Sequence, residues 1–384
     1  MMKKYSKILY LLFTALFVVI SIDCSNVFTS RNHSEVISSV NSFSKMLSSK
    51  TDILEVGNVA KTNYTKTSDI MVYPGGKPLG IKINTKGALV IALSDIEIEG
   101  DKVQSPAALA GIAVGDSIIE INGHEIKRAE DIATYVGREN GQEIVVKVLR
   151  KGEKLTFHVD PLISKNDDKF KLGLWVRDSV AGVGTLTFYH EESGKFGALG
   201  HPITDVDTAT IMSVGKGEIV DSNIVSVRRG TKGNPGELRG ILSENNQIIG
   251  SIDKNTTAGV FGTGTKSLIC ENYATPIKVG FKEEVKVGKA QILTTIDGSE
   301  PKLYDIVIEK LLNQTEPDGK SMVIRITDPI CLEKTGGIIQ GMSGSPIIQD
   351  GKLVGAVTHV LVNKPDTGYG IYMDWMMNEI NIKK

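Results

Sequence analysis

The 384-residue chain reads as a mainly β protein: an apolar N-terminal segment, a small α/β unit and then a larger antiparallel β domain. Three observations carry this reading. Short apolar stretches bounded by Gly, Asn and Asp recur from Leu172 to Met377, and long amphipathic helices are scarce there. Many short strands separated by such turns suggest an antiparallel barrel or a sandwich pair. Between Met71 and Pro161, apolar strand patterns alternate with two short helical ones. The composition, 41% hydrophobic and 23% charged, leaves room for two or three globular domains. A formal net charge of −1 gives no basic field that would point to nucleic acid. Cys24, Cys270 and Cys331 stand far apart, with no CxxC pair and no histidine at ligand spacing, so neither a metal site nor a cofactor is expected. Cys270 and Cys331 either pair in an oxidising compartment or remain buried thiols.

The first element is read from charge. Lys3, Lys4 and Lys7 precede an uncharged apolar run from Ile8 to Ile22. That run is short of the about 20 residues a spanning helix needs. Ser21-Ile22-Asp23-Cys24 is a poor cleavage site, so residues 1–24 are expected to act as a signal-anchor with the body exported. Residues 25–70 are polar and rich in Ser, Asn and Lys, which reads as an exposed tether open to proteolytic nicking.

The second element, residues 71–162, opens with Lys77-Pro78-Leu79-Gly80-Ile81, a glycine loop feeding an alternating strand, and continues with the apolar strand Ala88–Ala92. Ser105-Pro106 and Gly111 bracket a short helix. Ser117–Ile121, the Asn122-Gly123 turn and a following strand form a hairpin, and a second helix spans Arg128–Gly137 before a strand over Ile144–Leu149. These residues resemble bacterial PDZ domains, which bind extended peptides by strand addition. The resemblance implies that Leu79, Gly80 and Ile81 form the carboxylate-binding loop.

Ser164–Lys169 is charged and polar and reads as a linker into the third element, residues 163–384. Here the turn Gly341-Met342-Ser343-Gly344-Ser345-Pro346 would expose a serine hydroxyl and converge the N–H groups of Gly341 and Ser343 into an oxyanion hole. Gly, Ser and Pro are also ordinary turn residues. A base is offered by Gly200-His201-Pro202 at the end of the hairpin Val183–Leu199, since imidazole titrates near neutrality. His359, on the strand after the serine, is the rival base and otherwise reads as a cleft-wall or packing residue, and His190 is placed at the exposed tip of the hairpin. Asp328, at the end of the strand Met322–Ile326, is the candidate acid that orients the imidazole, with Asp205 and Asp207 nearer in sequence.

Leu199–Pro202, Gly236–Gly240, Asn255–Gly262 and Gln340–Ile348, with the PDZ-like unit and the N-terminal anchor, resemble the sporulation stage IV B peptidases. The resemblance implies a chymotrypsin-like double β-barrel serine endopeptidase of endospore formation, with His201, Asp328 and Ser343 in its catalytic positions. It further implies export into the space between the membranes around the forespore, self-cleavage in the tether, and cutting of a membrane-tethered regulator of an intramembrane protease that triggers processing of a late sigma factor. Expected partners are that protein substrate, the chain's own N-terminal segment and the membrane through the anchor. The competing expectation is an inert barrel in a PDZ-containing tethering protein.

Overall fold

The computed structural model describes residues 69–98, 100–242 and 247–382. The expected signal-anchor and the tether up to residue 68, with its self-cleavage zone, lie outside the described residues. Among the described residues no helix is long and apolar enough to cross a membrane.

Strand β1 (Met71–Pro74) leads into the sixteen-residue β2 (Pro78–Leu93). In its first half Leu79, Ile81 and Ile83 alternate inward and are almost fully buried, the period-two pattern of a strand with one core face. Its second half enters a small unit made of β3 (Ile96–Ile98), β4 (Asp101–Val103), α1 (Pro106–Ala110), β5 (Ser117–Ile121), β6 (His124–Glu125), α2 (Ala129–Arg138), β7 (Ile144–Arg150), β8 (Glu153–Val159), β9 (Leu162–Ser164) and β10 (Lys169–Lys171). The ends of α1 follow from its sequence. Ser105 Oγ accepts the Ala108 N–H, Pro106 occupies the first turn, and Gly111 closes the helix at φ +97°. Val90, Ile118, Ile121, Val146 and Val148 form the unit's own core under Ile132 and Val136 of α2.

The chain leaves this unit along β11 (Leu174–His190), which runs antiparallel to β2 from Leu174↔Leu93 to Thr185↔Pro78. The small unit is therefore an insertion between two neighbouring staves of a barrel, which corrects the expected boundary at residue 162. Residues 71–84 belong to the larger domain. Nor is Ser164–Lys169 a linker: Ser164 pairs with Lys169 across the β9–β10 hairpin.

That barrel is completed by β12 (Lys195–Ala198), β13 (Lys216–Arg228), β15 (Ile248–Thr256) and β16 (Gly259–Gly264), with β14 (Glu237–Leu242) paired to the far end of β13. The ring closes in the order β2, β11, β12, β16, β15, β13 and back to β2. A second ring follows β17 (Ile277–Val279): β18 (Gly288–Thr294), β19 (Lys302–Leu311) and β20 (Met322–Ile326), then helix α3 (Pro329–Thr335) and β21 (Pro346–Gln349), β22 (Lys352–Leu361) and β23 (Lys364–Tyr372). It closes as β18, β19, β20, β23, β22, β21 and back to β18, around Ile292, Ile306, Ile324, Ile347 and Val357. Closure leaves neither ring an open edge. The barrels are joined where β1 pairs with both β11 and β17, and β17 pairs in parallel with β22. Helix α4 (Met373–Glu379) packs Met373, Met376 and Met377 into this seam.

Candidate active site

A cleft of about 410 Å³ receives His201 from the first barrel and Ser343 from the second, with Gly341 and His359 beside them. His201 follows β12 through two left-handed residues, Leu199 at φ +68° and Gly200 at φ +69°. A Cβ on Gly200 would fall 2.9 Å from Thr358 Cγ2, so the histidine turn meets the second barrel at a position that excludes a side chain. Leu199 holds a conformation that L-residues rarely adopt, a local strain of about 1–3 kcal/mol that the packing around it must sustain.

The serine turn is held from both barrels. Thr185 of β11 donates its N–H to the Ser343 carbonyl (3.1 Å) and its hydroxyl to the Gly341 carbonyl (2.8 Å), while Thr187 Oγ1 donates to the Gly344 carbonyl. Gly341 and Gly344 sit at φ +97° and +96°. A Cβ on Gly344 would lie 2.1 Å from the Thr185 carbonyl oxygen. The stretch Gly236–Gly240 braces the approach: the Gln340 N–H donates to the Gly236 carbonyl, and the Gln340 carbonyl accepts from the Leu238 N–H. With the carbonyls so engaged, the N–H groups of Gly341 and Ser343 donate to no acceptor among the described residues. Two such free donors are what an oxyanion hole requires.

The ring of His201 is oriented by the backbone. Its Nδ1 lies 2.8 Å from the Pro202 carbonyl oxygen. A carbonyl can only accept, so Nδ1 carries the proton and Nε2 is left bare. Burial pushes its pKa below the usual imidazole value, and the Pro202 carbonyl opposes this in part. Ser343 Oγ donates to the Thr358 carbonyl at 2.8 Å, the resting position of the hydroxyl. Exchanging that bond for one to an imidazole nitrogen trades one net contribution of about 1 kcal/mol for another.

His359 tilts against His201 with ring centroids 5.2 Å apart. Desolvation first, and then the neighbouring His201 and Lys320, push its pKa down to about 4, with Asp318 opposing. Asp318, Lys320 and both histidines line an adjoining hollow of about 630 Å³.

Three expectations are corrected. Asp328 does not line the cleft. Its Oδ1 accepts the Ile330 and Cys331 N–H groups, both at 2.9 Å, as the N-cap of α3, so its carboxylate is spent on the helix start and not on an imidazole. The carboxylate of Asp205 is committed as well, accepting from Asp207, Thr208 and Arg177. Leu79, Gly80 and Ile81 are not a loop: they pair with β11 on one side and β13 on the other, so their backbone groups are unavailable to a peptide carboxylate. His190 is buried rather than exposed, with Nδ1 on Ser193 Oγ. Cys270 and Cys331 are both buried free thiols, and burial raises the Cys331 pKa to about 11. Thr185 and Thr358 carried no signal in the sequence, because their roles depend on pairings between distant segments; the Pro202 carbonyl acts on the adjacent His201, but its direction is not written in residue identity.

Two closed antiparallel barrels, with a serine turn on one and a histidine turn on the other meeting in one cleft, define the class as a serine peptidase. The SpoIVB peptidase S55 family model matches residues 168–377, more than half of the chain, and the chain belongs to that family. A PDZ domain model matches residues 59–160. A Bartonella henselae protein named "Putative zinc metalloprotease" is 38% identical over 80 residues, 21% of this chain and 22% of that protein. The Brucella suis "Probable periplasmic serine endoprotease DegP-like" is 30% identical over 163 residues, 40% of this chain and 28% of the relative. The chain thus spans under a third of the length of these curated relatives. Among solved structures, the PDZ domain of the SdrC-like protein from Listeria monocytogenes matches 24% of this chain and 90% of its own, at 18% identity and a TM-score of 0.20.

Proposed function

We propose that the protein is a serine endopeptidase in which Ser343 is the nucleophile and His201 the general base. Ser343 Oγ leaves the Thr358 carbonyl, gives its proton to His201 Nε2 and attacks the scissile carbonyl carbon. The oxyanion is received by the Gly341 and Ser343 N–H groups. His201 returns the proton to the leaving amine, and water then hydrolyses the acyl-enzyme by the same route. The observation that carries this reading is the convergence of a bare imidazole nitrogen, a serine hydroxyl and two free N–H donors on one cleft. The Pro202 carbonyl fixes the imidazole tautomer, the task a carboxylate performs in a triad.

Family membership supports a role in endospore formation. We place the enzyme in the space between the membranes around the forespore, anchored by residues 1–24 or released by cleavage within 25–70, cutting a membrane-tethered regulator and so triggering intramembrane processing of a late sigma factor. The test is purified full-length chain followed over time. Self-cleavage between residues 25 and 70 is expected in the wild type and absent in Ser343→Ala and His201→Ala. Cleavage that continues in Ser343→Ala would remove the assignment and favour an inert tethering protein.

A further inference from the structure

PDZ domains take up an extended peptide as an added strand on a sheet edge. In this chain the edge lies on β2 from Leu89 to Leu93, since Ala88 and Leu89 pair with β5 on the other side. That edge is already covered. Arg177, Val176, Trp175 and Leu174 pair antiparallel with Leu89, Val90, Ala92 and Leu93. Leu174 and Val176 pack against the cluster that holds Ile132 and Val136 of α2. Asp178 accepts the N–H of Ala129, the first residue of α2, at 2.9 Å. The start of β11 therefore lies between β2 and α2, where an incoming peptide would sit.

We infer that the peptide groove of the PDZ unit is filled in cis by Leu174–Asp178, and that a peptide can enter it only by releasing a strand that also braces the catalytic cleft. Arg177 pairs with Asp205 and with Asp207 in the segment following His201, and the Asp205 side chain is 0% exposed. Val180–Val183 form a wall of the cleft, and Thr185 holds the Gly341 and Ser343 carbonyls. A peptide that takes the place of Leu174–Asp178 draws Arg177 away, leaving a buried carboxylate without its cation and the histidine segment without its brace. Groove occupancy by a foreign peptide and an organised cleft thus oppose each other. The effector class is an extended peptide with apolar residues at alternate positions, bound mainly through its main chain. A tethered strand competes at an effective concentration in the millimolar range, so free peptide enters the intact chain poorly.

The probe is a fluorescent synthetic peptide with the sequence of Leu172–Val180, added to the full chain. A double variant, Val176→Ser with Asp178→Ala, is expected to bind it at least about tenfold more tightly than the wild type, since the competing strand is loosened. Ala92→Cys with Trp175→Cys, placed on a directly paired position, is expected to exclude the peptide when oxidised and admit it when reduced. This comparison within one protein stands even if the loosened variant fails to fold. Equal uptake by oxidised and reduced forms would overturn the clamp. Saturating peptide is expected to slow fluorophosphonate labelling of Ser343 in the reduced form by about tenfold or more, as displaced catalytic groups do; unchanged labelling would overturn the coupling. Only that last readout rests on the proposed chemistry, so a chain that takes up peptide but never labels at Ser343 would count against the peptidase reading and not against the clamp.

Discussion

At the residue scale the determining feature is a histidine whose second nitrogen is satisfied by its neighbour's carbonyl. His201 has no carboxylate partner among the described residues, and burial lowers its pKa. In the proposed mechanism the base is the neutral imidazole, and a depressed pKa extends the neutral form to lower pH. The acid limb of kcat/KM, or of fluorophosphonate labelling against pH, is therefore expected below pH 6.5, the unperturbed value for histidine. A limb above that value would mean a carboxylate stabilises the imidazolium. That Ser343, His201 and Gly341 share one cleft was suggested by the sequence, because glycines beside a serine or a histidine are local signals. Pro202 was in plain view, yet a carbonyl's direction is not written in residue identity.

At the scale of elements, the expected acid turns out to be a helix cap. Asp328-Pro329 begins α3, and that helix ends at Gly336, five residues before the oxyanion turn. Asn is as good a cap as Asp, so Asp328→Asn is expected to keep turnover nearly intact, whereas a working triad acid would cost on the order of 10⁴. Asp328→Ala leaves two helix N–H groups uncapped and should cost about 1 kcal/mol of stability, read as a lower melting temperature. A large loss of kcat in Asp328→Asn, with unchanged stability, would restore the acid role. The sequence could not separate the two readings, since Asp before Pro opens a helix and ends a strand equally well. The two helices and the Asn122-Gly123 hairpin of the small unit, by contrast, were readable to within a few residues, since a helix cap and a Gly turn are short-range chemistry, whereas α3 was not read as a helix.

For the whole molecule, the unforeseen feature is that β2 and β11 serve two units at once. Leu79-Gly80-Ile81 fits a loop-to-strand entry as well as a barrel stave, and the pairing of Pro78 with Thr185 leaves no local trace. Asn84 and Ser179 are paired across the ribbon, so replacing residues 85–178 with an Asn-Gly turn should leave a barrel that melts cooperatively. A chain beginning at residue 163 lacks β1 and β2, opens the first ring on both sides of the missing stave, and is expected to aggregate or stay unfolded. If that shorter chain folds and the turn-bridged one does not, the insertion topology is wrong. The most direct test of the central claim is mass-spectrometric mapping of the fluorophosphonate adduct on the full chain, with its rate in wild type and His201→Ala. A single adduct on Ser343 is expected, and its formation collapses without His201; an adduct on another residue, or an unchanged rate in His201→Ala, would contradict the roles proposed for Ser343 and His201.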